Sequence, residues 1–295
     1  MQREQSELSA LTRLFSSAVF RELAEKGRSP MFVRLLDQLD FLDYSNQEIS
    51  VGDLFELAFS ELKKFGCRDE YIYRSAVTKK VLLGKHSLNT ASMLTEFRVG
   101  SSRADLVILN GTATVYEIKS ERDSLSRLNK QIEDYQKVFA SVNVITAESH
   151  VDDVVERIPD GVGVLSLSRR YQISVYRDAI EQTEKICPAT VLLSLRAVEA
   201  INILRGLGVD VPDVPNTQRY EKLRELFVDL DRNELHRQMV TVLKKNRALT
   251  SLCELIKDLP ESLHAAALSK RMSRKNHSRL IKSVDTPLKT ALTWS

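Results

Sequence analysis

A chain of 295 residues and 33.5 kDa is long enough for one or two domains, and for a hydrophobic core that is stable without disulfides or structural metals. With 43% hydrophobic and 28% charged residues, the composition excludes a disordered chain and a collagen-like repeat. The net charge of +3 names no partner, but residues 241–295 alone carry eleven basic and four acidic side chains. This basic end suits a surface that faces phosphates, and it equally suits a solvated helix face.

Cysteine usage and hydropathy indicate a cytoplasmic protein. Cys67, Cys187 and Cys253 form no CxxC pair, which excludes a disulfide framework and a zinc knuckle. The N-terminus lacks an apolar signal segment, and no apolar run approaches the roughly 20 residues that span a bilayer. We therefore expect no membrane association. The absence of a glycine-rich phosphate loop predicts no nucleotide cofactor, while a homo-oligomer stays open.

The first 90 residues are predicted to be mostly helical. The clearest helix covers residues 53–65, with Asp53 as its cap, Glu56 completing a capping box and Gly66 as its stop. A second helix is predicted over residues 73–83, ending at Gly84. The apolar stripe of the first helix comprises Leu54, Leu57, Ala58, Leu62 and Phe65.

The pattern changes to strands between residues 91 and 178. Strands are predicted at 92–99, 104–109, 114–119, 142–146, 163–167 and 172–176, with helices at 124–140 and 151–158. A hairpin followed by strands that alternate with helices favours a mixed α/β sheet.

Helical patterns return from Pro188 onward. One helix is predicted from Pro188 to Gly206, followed by a rigid loop over residues 209–215. Further helices are predicted at 218–230, at 233–249 and near 263–272. The expected organisation is a helical segment at 1–50, an α/β core at 51–180 and a helical, basic C-terminal region at 181–295.

The chemistry is concentrated in two neighbouring predicted strands. Asp105 lies on the first, and Glu117, Ile118 and Lys119 end the second. Side chains alternate along a strand, so Glu117 and Lys119 share a face and a hairpin can bring Asp105 beside them. Two carboxylates on one face suit Mg²⁺ or Mn²⁺, and an adjacent lysine can stabilise charge on a phosphate. Two carboxylates that bind a metal ion beside a lysine are suited to hydrolysing a phosphodiester bond.

The hairpin loop decides whether that site can form. Asn110-Gly111 is a strong signal for a two-residue turn. A strict two-residue loop would place Tyr116 opposite Asp105 and turn Glu117 to the other face of the sheet. The metal site therefore requires an odd-length loop or a bulge between Leu109 and Thr114, for which Gly111 is well suited.

The next helix carries polar residues beside its apolar stripe. Gln131 and Tyr135 lie one turn apart, and Arg127 lies a further turn back. These side chains can reach the edge of the site or a DNA phosphate. For Tyr135 the alternative is core packing, and for Arg127 it is a solvated charge. The apolar stripe comprises Leu125, Leu128, Ile132, Tyr135 and Phe139.

The order Arg-Ala-Asp105, Glu117-Ile118-Lys119 and Gln131-x-x-x-Tyr135 resembles the PD-(D/E)xK nuclease superfamily. The stretches TEFRVGSSRADLVILNG and VYEIKSERDSLSRL are more closely similar to the sce7726-type proteins, small bacterial proteins classed with these nucleases. The closer resemblance covers roughly residues 50–180. Ala104 departs from the superfamily pattern, which nominally has proline before the aspartate.

The resemblance implies a restriction-endonuclease-like fold and a role for each matching residue. Asp105 and Glu117 would be metal ligands together with the backbone carbonyl of Ile118, Lys119 would be the catalytic lysine, and Gln131 with Tyr135 would support the site. The superfamily often adds a further glutamate. Glu56 and Glu96 are the two candidates, with a slight preference for Glu96.

The resulting interpretation is a Mg²⁺- or Mn²⁺-dependent nuclease, with DNA favoured over RNA by the resemblance alone. A function in phage defence or mobile-element biology is expected only from the class of enzyme. Two alternatives stay open: a non-catalytic nucleic-acid-binding module on the same fold, and a regulator whose C-terminal helices dock a protein partner. The candidate contacts to the nucleic-acid backbone in the basic region are Lys244, Lys245, Arg247, Arg271, Arg274 and Lys275.

Overall fold

The computed structural model describes residues 2–39, 48–64, 66–270 and 272–294, which form a mixed α/β fold. None of the helices in these ranges is both long enough and apolar enough to cross a membrane. The strands are β1 Ser92–Val99, β2 Ser102–Leu109, β3 Ala113–Lys119, β4 Ser141–Ala147, β5 Gly163–Leu167 and β6 Ile173–Arg177. The helices are α1 Gln2–Leu14, α2 Ser17–Lys26, α3 Pro30–Leu36, α4 Val51–Leu62, α5 Glu70–Val77, α6 Leu128–Gln136, α7 Val151–Val155, α8 Pro188–Ser194, α9 Ala197–Gly206, α10 Asn216–Val228, α11 Arg232–Asn246, α12 Cys253–Asp258, α13 His264–Leu268, α14 Arg274–Val284 and α15 Leu288–Ala291.

The six strands form one mixed sheet whose spatial order follows the chain. Strands β1, β2 and β3 make an antiparallel meander, β3, β4 and β5 run parallel, and β6 returns antiparallel to β5. Each predicted strand is present with its ends within two residues of the prediction. The predicted fold class, a mixed sheet core flanked by helices and followed by a helical region, is confirmed.

The chain divides into two compact units. The first joins residues 1–79 to residues 251–295, and the second comprises residues 80–250. The second unit holds the sheet together with α6–α11, because one continuous apolar core extends from Leu94 on β1 to Leu243 on α11. These boundaries cut across the three consecutive segments expected from the sequence.

The first unit is helical and is built on aromatic packing. Phe15 stacks on Tyr71 with ring centroids 4.8 Å apart, and Phe55 meets the edge of Phe15 at 5.5 Å. The C-terminal α14 packs against α2, where the Ser283 hydroxyl donates to the Leu23 carbonyl at 3.2 Å. The two ends of the chain therefore share one core.

Three helix predictions were wrong in detail. The helix predicted from Asp53 begins at Val51, because the Ser50 hydroxyl caps it and Asp53 closes the capping box. Glu56 has no capping role, and Leu57 is 40% exposed instead of lying in the apolar stripe. Phe65 lies outside the described residues.

The long helix predicted from Pro188 to Gly206 is two helices. Leu195 is extended, with ψ at 156°, so α8 ends before it. The Glu199 carboxylate then accepts the backbone N–H of Arg196 at 2.9 Å and starts α9. The predicted helix at 73–83 instead starts at Glu70, capped by Asp69, and continues as a π-helical segment, Thr78–Leu83.

The β2–β3 hairpin has the odd-length loop that the sequence analysis required. Leu109 pairs with Ala113 and Leu106 with Tyr116, so the loop is Asn110-Gly111-Thr112. Gly111 has φ +117°, a conformation that side-chain-bearing residues rarely adopt. The predicted irregularity between Leu109 and Thr114 is confirmed, and this register continues to put residues 105 and 117 opposite each other.

Two histidines contact this loop. The Asn110 amide lies 2.9 Å from Nε2 of His86, and the Thr112 hydroxyl lies 3.1 Å from Nε2 of His236. His236 is buried, and burial lowers its pKa although Glu181 acts in the opposite direction. The folded state therefore favours neutral His236.

Gly111→Ala should destabilise the protein by about 1–2 kcal/mol, because the backbone conformation is unfavourable for alanine. A Cβ at position 111 meets nothing within 4 Å, so the cost comes from the backbone alone. Urea unfolding measures it. Arg170→Ala, in the exposed turn between β5 and β6, is the control and should leave the unfolding midpoint in place. Equal midpoints for wild type and Gly111→Ala would contradict the loop conformation.

Stability should fall as pH drops below about 6.5, the ordinary histidine value. The sign follows from the lowered folded-state pKa, because the unfolded chain then binds the proton more readily than the folded one. His236→Gln should reduce the change in the free energy of unfolding between pH 7.5 and pH 5.5. His150→Gln, which removes a partly exposed histidine, serves as the control. An unchanged pH slope in His236→Gln would refute the assignment.

Candidate functional site

The ladder between β2 and β3 ends where the candidate residues begin. Its last pair is Leu106 and Tyr116, and beyond it the Asp105 carboxylate accepts the backbone N–H of Ile118 at 2.8 Å. A side chain thus replaces the backbone acceptor that a continued ladder would offer. The result is a local parting of the two strands with Asp105 fixed against β3.

Glu117 lies at the centre of a buried hydrogen-bonded cluster. Its side chain is 1% exposed, and its Oε1 accepts from Lys119 Nζ at 2.8 Å and from Gln131 Nε2 at 2.5 Å. The Tyr135 hydroxyl lies 2.8 Å from Oε2. A carboxylate has about four lone-pair sites, so three donors leave one site for a further partner.

Tyr135 joins the parted strands. Its hydroxyl lies 2.8 Å from both Glu117 on β3 and the Arg103 carbonyl on β2, two acceptors for a single hydrogen. Burial raises its pKa, and the charge of Glu117 raises it further. Tyr135 is therefore a neutral donor at any physiological pH. Because it is fully buried, the predicted contact with nucleic acid is wrong, and Tyr135 instead positions Glu117.

Lys119 is held at two points. Its ammonium donates to Glu117 and to Gln131 Oε1, the latter at 2.9 Å, and its backbone carbonyl accepts from the Thr146 hydroxyl at 2.8 Å. An ammonium has three hydrogens, so one remains for another acceptor. The Lys119 side chain is 8% exposed, compared with 1% for Glu117.

Helix α6 supplies both supporting side chains and is itself anchored to the β1–β2 turn. The Asp134 carboxylate accepts from the hydroxyls of Ser101 and Ser102, at 3.1 and 2.8 Å, and pairs with Lys130 at 2.9 Å. Burial acts to raise the pKa of Asp134, but these donors outweigh it and lower the pKa. This anchor fixes the position of Gln131 and Tyr135 along β3.

Glu96 lies across from Asp105 in an unusual backbone conformation. Its neighbours Thr95 and Phe97 pair with Leu106 and Ala104, which makes Glu96 and Asp105 cross-strand neighbours. Glu96 has φ +53°, rare for a residue with a side chain and common at functional sites. The two carboxylates offer oxygens within 4.8 Å of each other, and Arg103 lies 3.3 Å from Glu96.

Asp105 and Glu96 present a donor pair that fits a hard divalent cation, because their carboxylate oxygens lie within 4.8 Å of each other and Mg²⁺ and Mn²⁺ prefer oxygen ligands. Among the described residues, Glu117 is not grouped with these oxygens at that distance. Ile118 contacts Asp105 through its backbone N–H. Glu56, the other candidate glutamate, accepts the backbone N–H of Ser262 at 2.8 Å in the helical unit.

The predicted nucleic-acid contacts are distributed over both units. Arg127 is exposed at the start of α6, Lys245 is exposed on α11, and Lys244 donates to the Thr90 carbonyl at 2.7 Å. Arg274 and Lys275 are exposed at the start of α14, in the helical unit. Arg271 lies outside the described residues.

Arg247 forms contacts within the protein. It forms a two-point ion pair with buried Glu199, with both distances 2.8 Å, and lies over the Phe97 ring. The sequence pattern groups Arg247 with the candidate contacts to the nucleic-acid backbone. It does not single out Asp134 or Thr146. The position of Asp134 between Gln131 and Tyr135 in the sequence could have marked it as a site residue. Nothing in the apolar strand around Thr146 marks that residue.

Comparison with known proteins gives a family. The family model of bacteriophage P4 protein cII matches residues 63–277. Protein cII of Enterobacteria phage P4 is 29% identical over 206 residues, covering 67% of this chain and 76% of that protein. A solved structure of a protein of unknown function from Silicibacter pomeroyi aligns at 21% identity and a TM-score of 0.28, covering 42% of this chain and 87% of that one. Because the family model spans more than half of the sequence, the chain belongs to the bacteriophage P4 protein cII family.

Proposed function

We propose that the protein is a metal-dependent nuclease of the PD-(D/E)xK type that hydrolyses DNA phosphodiester bonds. The observation that carries the proposal is the cluster in which Glu117 accepts from Lys119, Gln131 and Tyr135 beside Asp105. An ordinary buried ion pair needs neither a second strand carrying a carboxylate nor a strained glutamate opposite it. The resemblance to sce7726-type proteins, which is independent of these distances, supports the same activity.

Asp105, Glu96 and Glu117, with the carbonyl of Ile118, are the residues that would hold Mg²⁺ or Mn²⁺. When bound, such a cation supplies Lewis-acid stabilisation of charge on the scissile phosphate and a more acidic water. The unused lone-pair site of Glu117 is the one available to the cation. Tyr135 and Gln131 keep the Glu117 carboxylate oriented, which reduces the reorganisation needed on binding.

Lys119 is the residue proposed to act on the reacting atoms. Two of its hydrogens are held by Glu117 and Gln131, and the third can be donated to a phosphate oxygen or to the attacking water. Its ammonium is thus oriented before substrate arrives. An alanine at this position would leave the developing negative charge without this donor.

The exposed basic side chains are proposed to hold the DNA backbone. Arg127, at the start of the helix that carries Gln131, and Lys245 are exposed. Contacts of this kind position the substrate and make binding weaken with salt. The cytoplasm is the compartment proposed for this activity, and the phage relative supports a place in phage or mobile-element biology.

Asp105→Ala and Lys119→Ala should each lower metal-dependent DNA cleavage by at least about 100-fold, because the first removes a proposed ligand of the cation and the second removes the proposed donor to the reacting phosphate. Purified protein would be assayed on linear, circular and single-stranded DNA with Mg²⁺, with Mn²⁺ and with EDTA. The three substrates also distinguish endonuclease from exonuclease action.

Glu133→Gln is the matched control, since it removes an exposed carboxylate from the helix that carries Gln131. It should cleave as wild type does. Salt-sensitive DNA binding without metal-dependent cleavage would replace the enzyme by a non-catalytic binding module. Absence of both would favour the protein-docking alternative.

Glu96→Gly should preserve or raise thermal stability while lowering cleavage. Glycine adopts φ +53° without strain, and the ion pair lost with Arg103 is exposed and contributes little. Thermal unfolding and the cleavage assay measure the two effects on the same preparation. A variant that cleaves at the wild-type rate would remove Glu96 from the proposed metal ligands, leaving the roles of Asp105 and Lys119 intact.

A further inference from the structure

A cavity lies in the sheet-containing unit and uses none of the residues of the candidate site. It has a volume of about 340 Å³ and is formed by α9, α10 and the connecting segment 209–215. Cavities of roughly 300–1,000 Å³ are typical of small-molecule sites. Its size therefore suits a compact organic molecule.

The floor of the cavity is apolar. Leu223 is buried in the core, and Ile201 and Val211 pack against the same core from its edge. One wall is the connecting segment, where Pro212 restricts the backbone. A hydrocarbon group placed here would lose contact with water without requiring the wall to reorganise.

The rim is cationic. Arg205, Arg219 and Lys222 line the cavity, against a single carboxylate, Asp213. Among the described residues, no carboxylate lies within ion-pair distance of Arg205 or Arg219, whereas Lys222 pairs with Glu225 at 2.7 Å. Two guanidinium groups are thus available for an anion, and guanidinium recognises carboxylate and phosphate groups in a two-point geometry.

We propose that this cavity binds a small amphipathic anion, with the hydrocarbon body on the apolar floor and the charged group between Arg205 and Arg219. The site is separate from the proposed nuclease centre. Nucleic acid fits it less well, because none of the lining residues is an aromatic side chain on which a base could stack. The cavity is concave and its floor is hydrocarbon, which a phosphate backbone cannot fill.

The test uses 1-anilinonaphthalene-8-sulfonate as the anionic probe and uncharged N-phenyl-1-naphthylamine as its neutral counterpart, titrated by fluorescence into the full chain. The sulfonate should bind saturably with one site per chain. Arg205→Gln and Arg219→Gln should each weaken it about ten-fold, the effect of losing one charge-assisted hydrogen bond. The neutral probe should bind at least ten-fold more weakly than the sulfonate.

Arg224→Gln is the matched control, because it removes an exposed arginine from α10 that does not line the cavity. It should bind the sulfonate as wild type does, and all variants should retain the wild-type unfolding temperature. Non-saturable binding, or equal affinity in all variants, would overturn the proposal. Displacement of the probe by a single-stranded oligonucleotide would also overturn it and assign the cavity to nucleic acid.

Discussion

The Glu117 carboxylate is 1% exposed, and a buried anion is tolerated only when its oxygens receive hydrogen bonds. Those bonds come from its own strand through Lys119 and from α6 through Gln131 and Tyr135. The requirement fixes α6 across the sheet, orients the lysine and lets Tyr135 span the gap between β2 and β3. Loss of any one donor leaves part of a buried charge unsatisfied, so packing and proposed chemistry are inseparable here.

The fold could be predicted from the sequence where local patterns determined it. Strand ends followed from alternation, and the three-residue loop at Gly111 followed from requiring residues 105 and 117 on one face. Helix starts were less predictable, because Ser50 outcompeted Asp53 as a cap and Glu199 started a new helix inside an apolar run. The first residue of each of these helices depends on a single hydrogen bond, and hydrophobic periodicity does not reveal such bonds.

The residues of the candidate site could be predicted from the sequence, but their spatial arrangement could be predicted less well. Strand alternation grouped Glu117 with Lys119, and the family resemblance added Gln131; the structure places the three side chains in direct contact. The burial of Tyr135 and the left-handed backbone of Glu96 depend on how two strands part, a tertiary property. The basic residues illustrate the same limit, since Arg247 has the charge of a phosphate contact yet serves to neutralise buried Glu199.

The helical unit is discontinuous in sequence, since residues 1–79 and 251–295 enclose the 171 residues of the other unit between them. During synthesis, the sheet-containing unit can complete its core while the last helices are still in the ribosome. The face of α2 that packs against α14 stays uncovered until α14 emerges. Proteins with this arrangement depend on a late closing step over a long separation, which makes the N-terminal helices the segment most exposed to chaperones and to aggregation.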